Sequence, residues 1–342
     1  MASYPLNPRL PVPLRNAWSR AVTRAFLYHR MSAQTAHRIA ILIPCLNEAA
    51  TIAAVVRDFK AVVSGCEVHV FDNNSTDATV EVAKNAGAHV RTVALRGKGN
   101  VIRRMFADVE ADIYVLVDGD DTYDASATPA MIDALLAEGL DMVVGTRVSE
   151  EHAAYRFGHR FGNVLLTRCV SSIFGRTFTD MLSGFRVFSR RYVKSFPAHA
   201  SGFETETELT VHALELRMPV AETATIYKSR PEGSASKLNT YRDGFRILMT
   251  IARLFKTEKP LAFFSLGSGL CALISILLAI PLFDTFIRTG LVPRLPTALM
   301  CVALMLFGAI LLVCGIVLDT VTHGRAESKR LAYLAIPGPR RA

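Results

Sequence analysis

The chain of 342 residues carries a net charge of +9, and hydrophobic residues make up 51% of it, with a mean hydropathy of +0.28. This length can bury a sizeable core in one large domain or two small ones. Much of the positive charge flanks two apolar stretches instead of forming a separate basic patch, so a membrane surface, and no nucleic acid, is the expected acidic partner. The six cysteines show no paired spacing and predict neither a zinc site nor a disulfide framework.

Residues 1–37 form a basic N-terminal segment. The first 38 residues contain six arginines and no acidic residue, and prolines stand at positions 5, 8, 11 and 13. They lack the continuous apolar run of a secretory signal. Two interpretations stay open, a basic arm and an interfacial helix from about Leu14 to Met31 that lies on the membrane.

Apolar strand patterns alternate with helical patterns from Arg38 to about Arg147. Alternation of this kind predicts an α/β fold with a parallel sheet and crossover helices. The predicted strands end at Ile43, Phe71, Thr92, Val117 and Thr146. Ligands of such sheets bind at the carboxyl ends of the strands. The polar residues that follow the strand ends, and that we expect at one edge of the sheet, are Asn47, Glu48, Asp72, Asn74, Asp118, Asp120 and Arg147.

The most informative motif is V-L-V-D-G-D-D-T-Y-D at residues 115–124, where a buried-strand pattern runs into Asp118 and Asp120. Hard oxygen ligands in this number suit Mg²⁺ or Mn²⁺, with substrate phosphates and water in the remaining positions. The motif therefore predicts a metal site that holds a diphosphate. The same residues also fit an ordinary turn after a strand, so the neighbouring motifs have to decide.

The pattern after Arg147 predicts a helix from about Gly162 to Phe174, a loop, and a helix from about Glu204 to Leu216. The last of these opens on Glu206 and Glu208, which are favourable charges for a first helical turn. Residues 237–260 then place apolar side chains near one helical face and basic ones elsewhere. This arrangement predicts an amphipathic juxtamembrane helix.

Residues 261–320 are predicted to form a two-helix transmembrane region. The uncharged stretches from Leu261 to Phe283 and from Leu295 to Leu318 are each long enough to span a bilayer. The positive-inside rule then predicts a multi-pass protein of the inner (plasma) membrane with both termini and the large domain in the cytoplasm. The basic residues of the cytoplasmic tail at 321–342 are Arg325, Lys329, Arg330, Arg340 and Arg341.

Six short motifs, in their order and spacing, resemble the family 2 glycosyltransferases of the GT-A fold. They are I-P-C-L-N-E at 43–48, F-D-N-N-S-T-D at 71–77, G-K-G-N at 97–100, D-G-D-D at 118–121, G-T-R at 145–147 and S-G-F-R at 183–186. The two spans and S-R-P-E-G-S-A-S-K-L at 229–238 are similar to the polyisoprenyl-phosphate group, which includes dolichyl-phosphate mannose synthase and bacterial undecaprenyl-phosphate glucosyltransferases. The resemblance covers roughly residues 39–318 and implies a Rossmann-like GT-A catalytic domain at 38–236.

This resemblance also implies roles for individual residues. The nucleotide sugar would contact Pro44, Asn47, Glu48, Asp72, Asn74, Lys98 and Asp118. Asp118 and Asp120 would bind the metal, and the catalytic residues would be Asp118, Asp120, Asp180 and Arg186. Asp180 would orient an arginine or assist the acceptor. The diphosphate or the acceptor phosphate would contact Arg147, His159, Arg160, Asn163, Arg230 and Lys237, each of which is explained equally well as a surface polar residue.

The implied reaction is inverting, metal-dependent transfer of a hexose from a UDP- or GDP-linked sugar to polyprenyl phosphate, for cell-envelope glycan assembly or modification. The second pKa of a phosphate monoester is near about 6, so this nucleophile is an anion at neutral pH and needs no strong base. Catalysis then rests on positioning and on charge. The resemblance leaves a homo-oligomer such as a tetramer open, and the sequence does not identify the sugar.

Four alternatives compete with this interpretation. The D-x-D-x-T pattern also opens haloacid-dehalogenase-like phosphatases, but here three predicted strands precede it and no G-D-x-x-x-D motif follows it. A processive polysaccharide synthase would carry Q-x-x-R-W, whereas the only tryptophan is Trp18. A catalytically silent scaffold would not need both Asp118 and Asp120. A glycosyltransferase that acts on another membrane acceptor also stays open.

Overall fold

The computed structural model describes residues 37–148, 168, 170–171, 175, 178–198, 204–228, 249 and 252–339. Nearly all of the basic N-terminal segment, most of the helix predicted at 162–174 and most of the juxtamembrane helix lie outside these residues. Residues 252–258, which belong to the predicted juxtamembrane segment, are helical. The predicted site and tail residues that lie outside the described part are His159, Arg160, Asn163, Arg230, Lys237, Arg340 and Arg341.

A mixed sheet forms the centre of the described domain. Its strands are β1 (Ile39–Cys45), β2 (Glu67–Asp72), β3 (His89–Thr92), β4 (Ile113–Leu116), β5 (Met142–Val148), β6 (Arg186–Ser189) and β7 (Val220–Ile226). They lie in the order β3-β2-β1-β4-β6-β5-β7. Strand β6 is antiparallel to both of its neighbours, and the other pairs are parallel. The α/β fold predicted from the alternating pattern is confirmed, and the five predicted strand ends agree with the observed ones to within two residues.

Helices cover both faces of this sheet. They are α1 (Ile52–Val62), α2 (Thr79–Asn85), α3 (Lys98–Asp108), α4 (Thr128–Glu138), α5 (Arg190–Ser195) and α6 (Thr205–Glu215). Helices α1 and α4 pack on one face, and α3, α5 and α6 pack on the other. Strand β4 is apolar throughout because alternate side chains enter the two cores, with Val115 on the α1 side and Tyr114 on the α3 side.

The order of the strands places a crevice between β1 and β4. The chain runs outward from β1 to β2 and β3, and then returns past β1 to form β4 on its other side. The connections on the two sides therefore lead away from each other, which opens a ligand crevice beyond the carboxyl ends of the two strands. The loops that follow β1 and β4 carry the predicted nucleotide and metal motifs.

Two long apolar helices follow the domain, as predicted. Helix α7 (Pro260–Thr289) and helix α8 (Leu295–Leu334) are long and apolar enough to cross a membrane. They pack closely through small residues of α8, because a Cβ added to Gly308 would lie 3.2 Å from the carbonyl oxygen of Ser268 and one added to Gly315 would lie 3.0 Å from Cβ of Phe264. Small residues at helix contacts are typical of membrane helices, whose association depends on close packing.

Helix α8 extends beyond its apolar part and contacts the domain that contains the sheet. Lys329 Nζ lies 2.6 Å from Glu215 Oε2, and the Tyr333 hydroxyl donates to Asp141 Oδ2 at 2.8 Å. Asp141 is buried and also accepts two hydrogen bonds from Arg191, at 2.5 and 2.8 Å. Much of the segment predicted as a basic tail is therefore helix held against the domain.

Replacement of Gly308 by Leu tests the contact between α7 and α8. A larger side chain forces the helices apart, because backbone and side-chain atoms of α7 already lie against this position, and overpacking of this kind costs about 1–3 kcal/mol. We expect a melting temperature several degrees lower for the protein in detergent. Gly269→Leu is the matched control, because nothing lies within 4 Å of a Cβ there. Equal melting temperatures for the two variants would contradict this packing.

The ion pair between α8 and α6 can be tested with Lys329→Met. The change leaves Glu215 buried without its cation, which costs about 3–5 kcal/mol in buried pairs. We expect residues 319–334 to become sensitive to limited proteolysis. Arg330→Met removes the same charge from an exposed neighbouring position and is expected to leave the cleavage rate unchanged. If both variants were cleaved alike, the pair would not hold the helix.

Candidate active site

The acidic loop after β4 is held in place by contacts of Gly119 with Thr51 and Cys45. The Gly119 carbonyl accepts a hydrogen bond from the Thr51 hydroxyl at 2.7 Å, and a Cβ at Gly119 would lie 2.7 Å from Sγ of Cys45. Asp120 is buried, and its Oδ1 accepts from the hydroxyl of Thr122 at 2.6 Å. The glycine thus lets the loop approach β1, and the carboxylate of Asp120 is oriented by the following threonine.

Asp118 lies against the S-G-F-R loop. A Cβ added to Gly184 would lie 2.9 Å from Cγ of Asp118, so this close approach requires a glycine. The Gly184 amide donates to the Tyr123 hydroxyl at 2.9 Å, and the Ser183 hydroxyl donates to the Gly145 carbonyl at 2.5 Å. The S-G-F-R loop therefore contacts both the D-G-D-D motif, at Asp118, and the G-T-R motif, at Gly145.

Lys98 bridges two carboxylates at this site. Its Nζ lies 2.6 Å from Asp118 Oδ1 and 2.6 Å from Glu206 Oε1, and the Lys98 side chain is 14% exposed. Burial alone would lower the pKa of Lys98, but the two carboxylates outweigh it and raise the pKa well above its ordinary value. Lys98 therefore stays charged. Sequence reasoning treated Glu206 only as a first-turn acid, because nothing in its local pattern indicates a lysine partner.

The loops after β1 and β2 carry predicted nucleotide-binding residues, and hydrogen bonds join the two loops. Asn47 has a left-handed φ of 54°, its Oδ1 accepts from the Thr76 amide at 2.8 Å, and its amide donates to the Ser75 hydroxyl at 2.8 Å. Asp72 is buried at the end of β2 and accepts from the Ser75 amide. Pro44 lies within β1 beside these loops. The contacts bring the predicted nucleotide residues together at the crevice.

Two asparagines attach the G-K-G-N loop to β2. The amide of Gly97 donates to Asn73 Oδ1 at 2.7 Å, and Asn73 Nδ2 donates to the Leu95 carbonyl at 2.8 Å. Asn74 Nδ2 donates to the Val93 carbonyl at 3.1 Å. Lys98 is the first residue of α3, so these bonds fix the point from which its side chain reaches Asp118. Asn73 was missed in the sequence analysis, although it belongs to the quoted F-D-N-N-S-T-D motif.

Arg147 and Asp180 form a two-bonded ion pair. Arg147 Nε lies 2.7 Å from Asp180 Oδ2, and Arg147 Nη2 donates to Asp180 Oδ1 at 2.8 Å. The guanidinium carbon lies 5.6 Å from the centre of the Tyr227 ring. Burial raises the pKa of Asp180, but the hydrogen bonds and charge of Arg147 outweigh it and bring the pKa below its ordinary value. The arginine that Asp180 orients is thus Arg147.

Arg186 lies beneath the site and not in it. Its side chain is fully buried, its Nε donates to the Ser183 carbonyl at 2.9 Å, and its Nη2 donates to the Met181 carbonyl at 2.6 Å and to the Glu206 carbonyl at 3.2 Å. Its Nη1 donates to the Thr210 hydroxyl at 2.9 Å. These bonds join the S-G-F-R loop to α6. The geometry therefore gives Arg186 a positioning role in place of the catalytic role expected from the sequence.

The side chains at the acidic loop fit a divalent cation. Within the described part of the chain, no group of three or more His, Cys, Asp and Glu side chains converges on one point. Two carboxylates suffice for Mg²⁺ or Mn²⁺ when water and substrate phosphates supply the other ligands. The Lys98 ammonium already places a positive charge 2.6 Å from Asp118, which shows that this carboxylate accepts a cation. Asp118 and Asp120 are the residues that would hold the metal.

A mixed α/β sheet with an acidic D-x-D loop at its ligand crevice is the architecture of GT-A glycosyltransferases. The chain belongs to glycosyl transferase family 2, and the sequence model of this family matches residues 40–196. Glycosyltransferase AglJ of Haloferax volcanii is 34% identical over 304 residues, which are 88% of this chain and 99% of AglJ. The predicted family and fold are therefore confirmed, and the protein is a glycosyltransferase. The phosphatase alternative has no support.

Two further proteins are informative. A dolichyl-phosphate hexose transferase of Haloferax volcanii is 25% identical over 229 residues, which are 67% of this chain and 99% of that protein. The crystal structure of glucosyl-3-phosphoglycerate synthase from Mycobacterium tuberculosis in complex with Mn²⁺, uridine diphosphate and glucosyl-3-phosphoglycerate matches with a TM-score of 0.54 and 25% identity. This match covers 66% of the present chain and 82% of the synthase chain.

Gly184→Ala tests the contact between the S-G-F-R loop and Asp118. The added methyl group would displace the Asp118 carboxylate, and overpacking of this kind costs about 1–3 kcal/mol of stability, so we expect a melting temperature several degrees lower. Thermal unfolding of the protein in detergent measures this change. Gly324→Ala, which meets no atom within 4 Å, is the control and should not lower the melting temperature. An unchanged melting temperature in Gly184→Ala would show that the loop does not depend on this close approach.

Proposed function

We propose that the protein transfers a hexose from a UDP- or GDP-linked sugar to polyprenyl phosphate, with inversion at the anomeric carbon. This proposal rests on the presence of two features in one chain. One is a family 2 domain with Asp118 and Asp120 at the edge of its crevice, and the other is a pair of apolar helices that follow this domain. A lipid acceptor accounts for both parts. The name of the related dolichyl-phosphate hexose transferase supports the same acceptor class.

The state of Asp180 supports an acceptor that is already ionised. Both carboxylate oxygens bond Arg147, and the pKa of Asp180 lies below its ordinary value. A carboxylate of low pKa is a poor general base for an alcohol at neutral pH. A phosphate monoester needs no such base, because it is an anion already. The role of Asp180 would then be to orient the Arg147 side chain towards an anionic group of the substrate.

Positive charge is the second requirement of this reaction. A Mg²⁺ or Mn²⁺ ion held by Asp118 and Asp120 would stabilise the departing diphosphate. Lys98 adds a buried ammonium beside the same group, and Arg147 adds a guanidinium on the S-G-F-R side. Pro44, Asn47, Glu48, Asp72 and Asn74 would hold the nucleoside. The proposed contacts to the acceptor phosphate outside the described residues are His159, Arg160, Asn163, Arg230 and Lys237.

The membrane helices define where the reaction would occur. Both spans would cross the inner membrane, and the positive-inside rule places the domain and both termini in the cytoplasm. Helix α8 contacts the domain through Lys329 and Tyr333, so the crevice would be held at a set distance from the bilayer. The product, a polyprenyl-monophosphate sugar, would be used in cell-envelope glycan assembly or modification. A homo-oligomer, such as a tetramer, is part of this proposal.

The decisive experiment is transfer of radiolabel from a panel of UDP- and GDP-sugars to undecaprenyl phosphate in detergent, with Mg²⁺ or Mn²⁺ and with EDTA as control. We expect one labelled lipid, and we expect EDTA to abolish it. Asp118→Asn and Asp120→Asn should each lower transfer by about 10²–10³-fold, because each removes a carboxylate that would hold the cation that stabilises the leaving diphosphate. Glu138→Gln, at the exposed end of α4, removes a carboxylate away from the crevice and should have no effect.

The outcomes separate the alternatives. Uridine diphosphate binding without transfer to undecaprenyl phosphate would favour another membrane acceptor. Transfer that survives EDTA would contradict the metal role of Asp118 and Asp120. A folded protein that bound no nucleotide would contradict the proposed donor.

A further inference from the structure

Only one of the two carboxylate oxygens of Glu206 has a partner among the described residues. Its side chain is 8% exposed, and its Oε1 lies 2.6 Å from Lys98 Nζ. Its Oε2 is buried and has no hydrogen-bond partner among the described residues. Buried carboxylate oxygens are normally bonded, because each unbonded one loses its hydration without compensation. The unbonded Oε2 of Glu206 therefore needs an explanation, and a role in helix capping does not provide one.

Lys98 and a divalent cation would use the same carboxylate. Lys98 Nζ lies 2.6 Å from Asp118 Oδ1, and Asp118 is one of the two proposed metal ligands. Capture of Asp118 by a metal would weaken this ion pair. Lys98 would keep Glu206 Oε1 as a partner, but the N–H group that now faces Asp118 would lose its acceptor, and a buried donor without an acceptor is costly. Metal entry therefore requires another acceptor for the N–H group that Asp118 releases.

We propose that Glu206 is a positioning residue that keeps Lys98 paired when a divalent cation takes Asp118. An ammonium has three N–H donors, and the two oxygens of one carboxylate lie close enough together to accept from the same ammonium. The unbonded Oε2 of Glu206 receives the hydrogen bond that Asp118 gives up. Lys98 then keeps two hydrogen bonds to carboxylate oxygens beside the diphosphate. This inference rests on the proposed metal role of Asp118 and Asp120.

The backbone of Glu206 is anchored for this purpose. Its carbonyl accepts from Arg186 Nη2 at 3.2 Å and from the Thr210 hydroxyl at 3.2 Å. Arg186 is fully buried and also holds the loop that contacts Asp118. The same guanidinium thus holds both the backbone of Glu206 and the loop that lies against Asp118. The side chain of Lys98 is the long and flexible member of the three, so it is the one that shifts.

A double-mutant cycle tests the inference by calorimetric Mn²⁺ titration of the full-length protein, with and without uridine diphosphate. Glu206→Gln should weaken Mn²⁺ binding by about tenfold, because Lys98 then resists release of Asp118. Lys98→Met should bind Mn²⁺ more tightly than the wild type in the absence of nucleotide, since the competing ammonium is gone. In the Lys98→Met background, Glu206→Gln should have little further effect.

Control variants distinguish this role from a general loss of structure or charge. Glu208→Gln changes an acid in the same helical turn and should leave Mn²⁺ affinity unchanged. Glu206→Asp keeps the charge and should retain most of the affinity, and melting temperatures report whether each variant folds. Wild-type affinity in Glu206→Gln would overturn the inference. An equal loss in the Lys98→Met background would also overturn it, since Glu206 would then act on the cation directly. Wild-type protein that bound no Mn²⁺ would overturn the proposed metal site and this inference with it.

Discussion

The ion pairs of Lys98 with Asp118 and Glu206 are the interaction on which the site depends. The three residues come from the start of α3, the loop after β4 and the first turn of α6, so the ammonium joins three parts of the chain. Two carboxylates this close together repel each other, and the buried lysine charge between them removes that repulsion. The lysine thereby holds together the three parts of the chain that form this edge of the crevice.

Much of the surrounding structure holds these three side chains in place. Asn73 fixes the loop that precedes Lys98, Gly184 allows the S-G-F-R loop to lie on Asp118, and Arg186 joins that loop to α6. The buried guanidinium of Arg186 is costly to desolvate, but carbonyl and hydroxyl groups accept its hydrogen bonds, which makes burial tolerable. These contacts connect the parts of the chain that surround the lysine.

The domain is also connected to its two apolar helices by more than the chain itself. Asp141, at the start of β5, accepts hydrogen bonds from Arg191 and Tyr333, and so joins the sheet to the far end of α8. A helix of 40 residues rises about 60 Å, enough to cross a bilayer and still reach the domain. These contacts limit the orientations that the domain can take relative to α8.

The sequence alone determined β1 to β5, the edge at which the polar residues gather, the acidic loop and the two apolar helices. These features follow from local periodicity and from the geometry of parallel strands, which place successive carboxyl ends at one edge. It indicated neither β6 nor β7, and a strand of four residues such as β6 carries no signal of its direction. Only the tertiary structure decided which charges pair. Arg147 and Arg186 look equivalent in sequence, yet one binds Asp180 at the crevice and the other is buried beneath it, and Glu206 looked like an ordinary first-turn acid. Long side chains find their partners through contacts between distant segments and through the water that folding removes, and neither is encoded in the neighbouring residues.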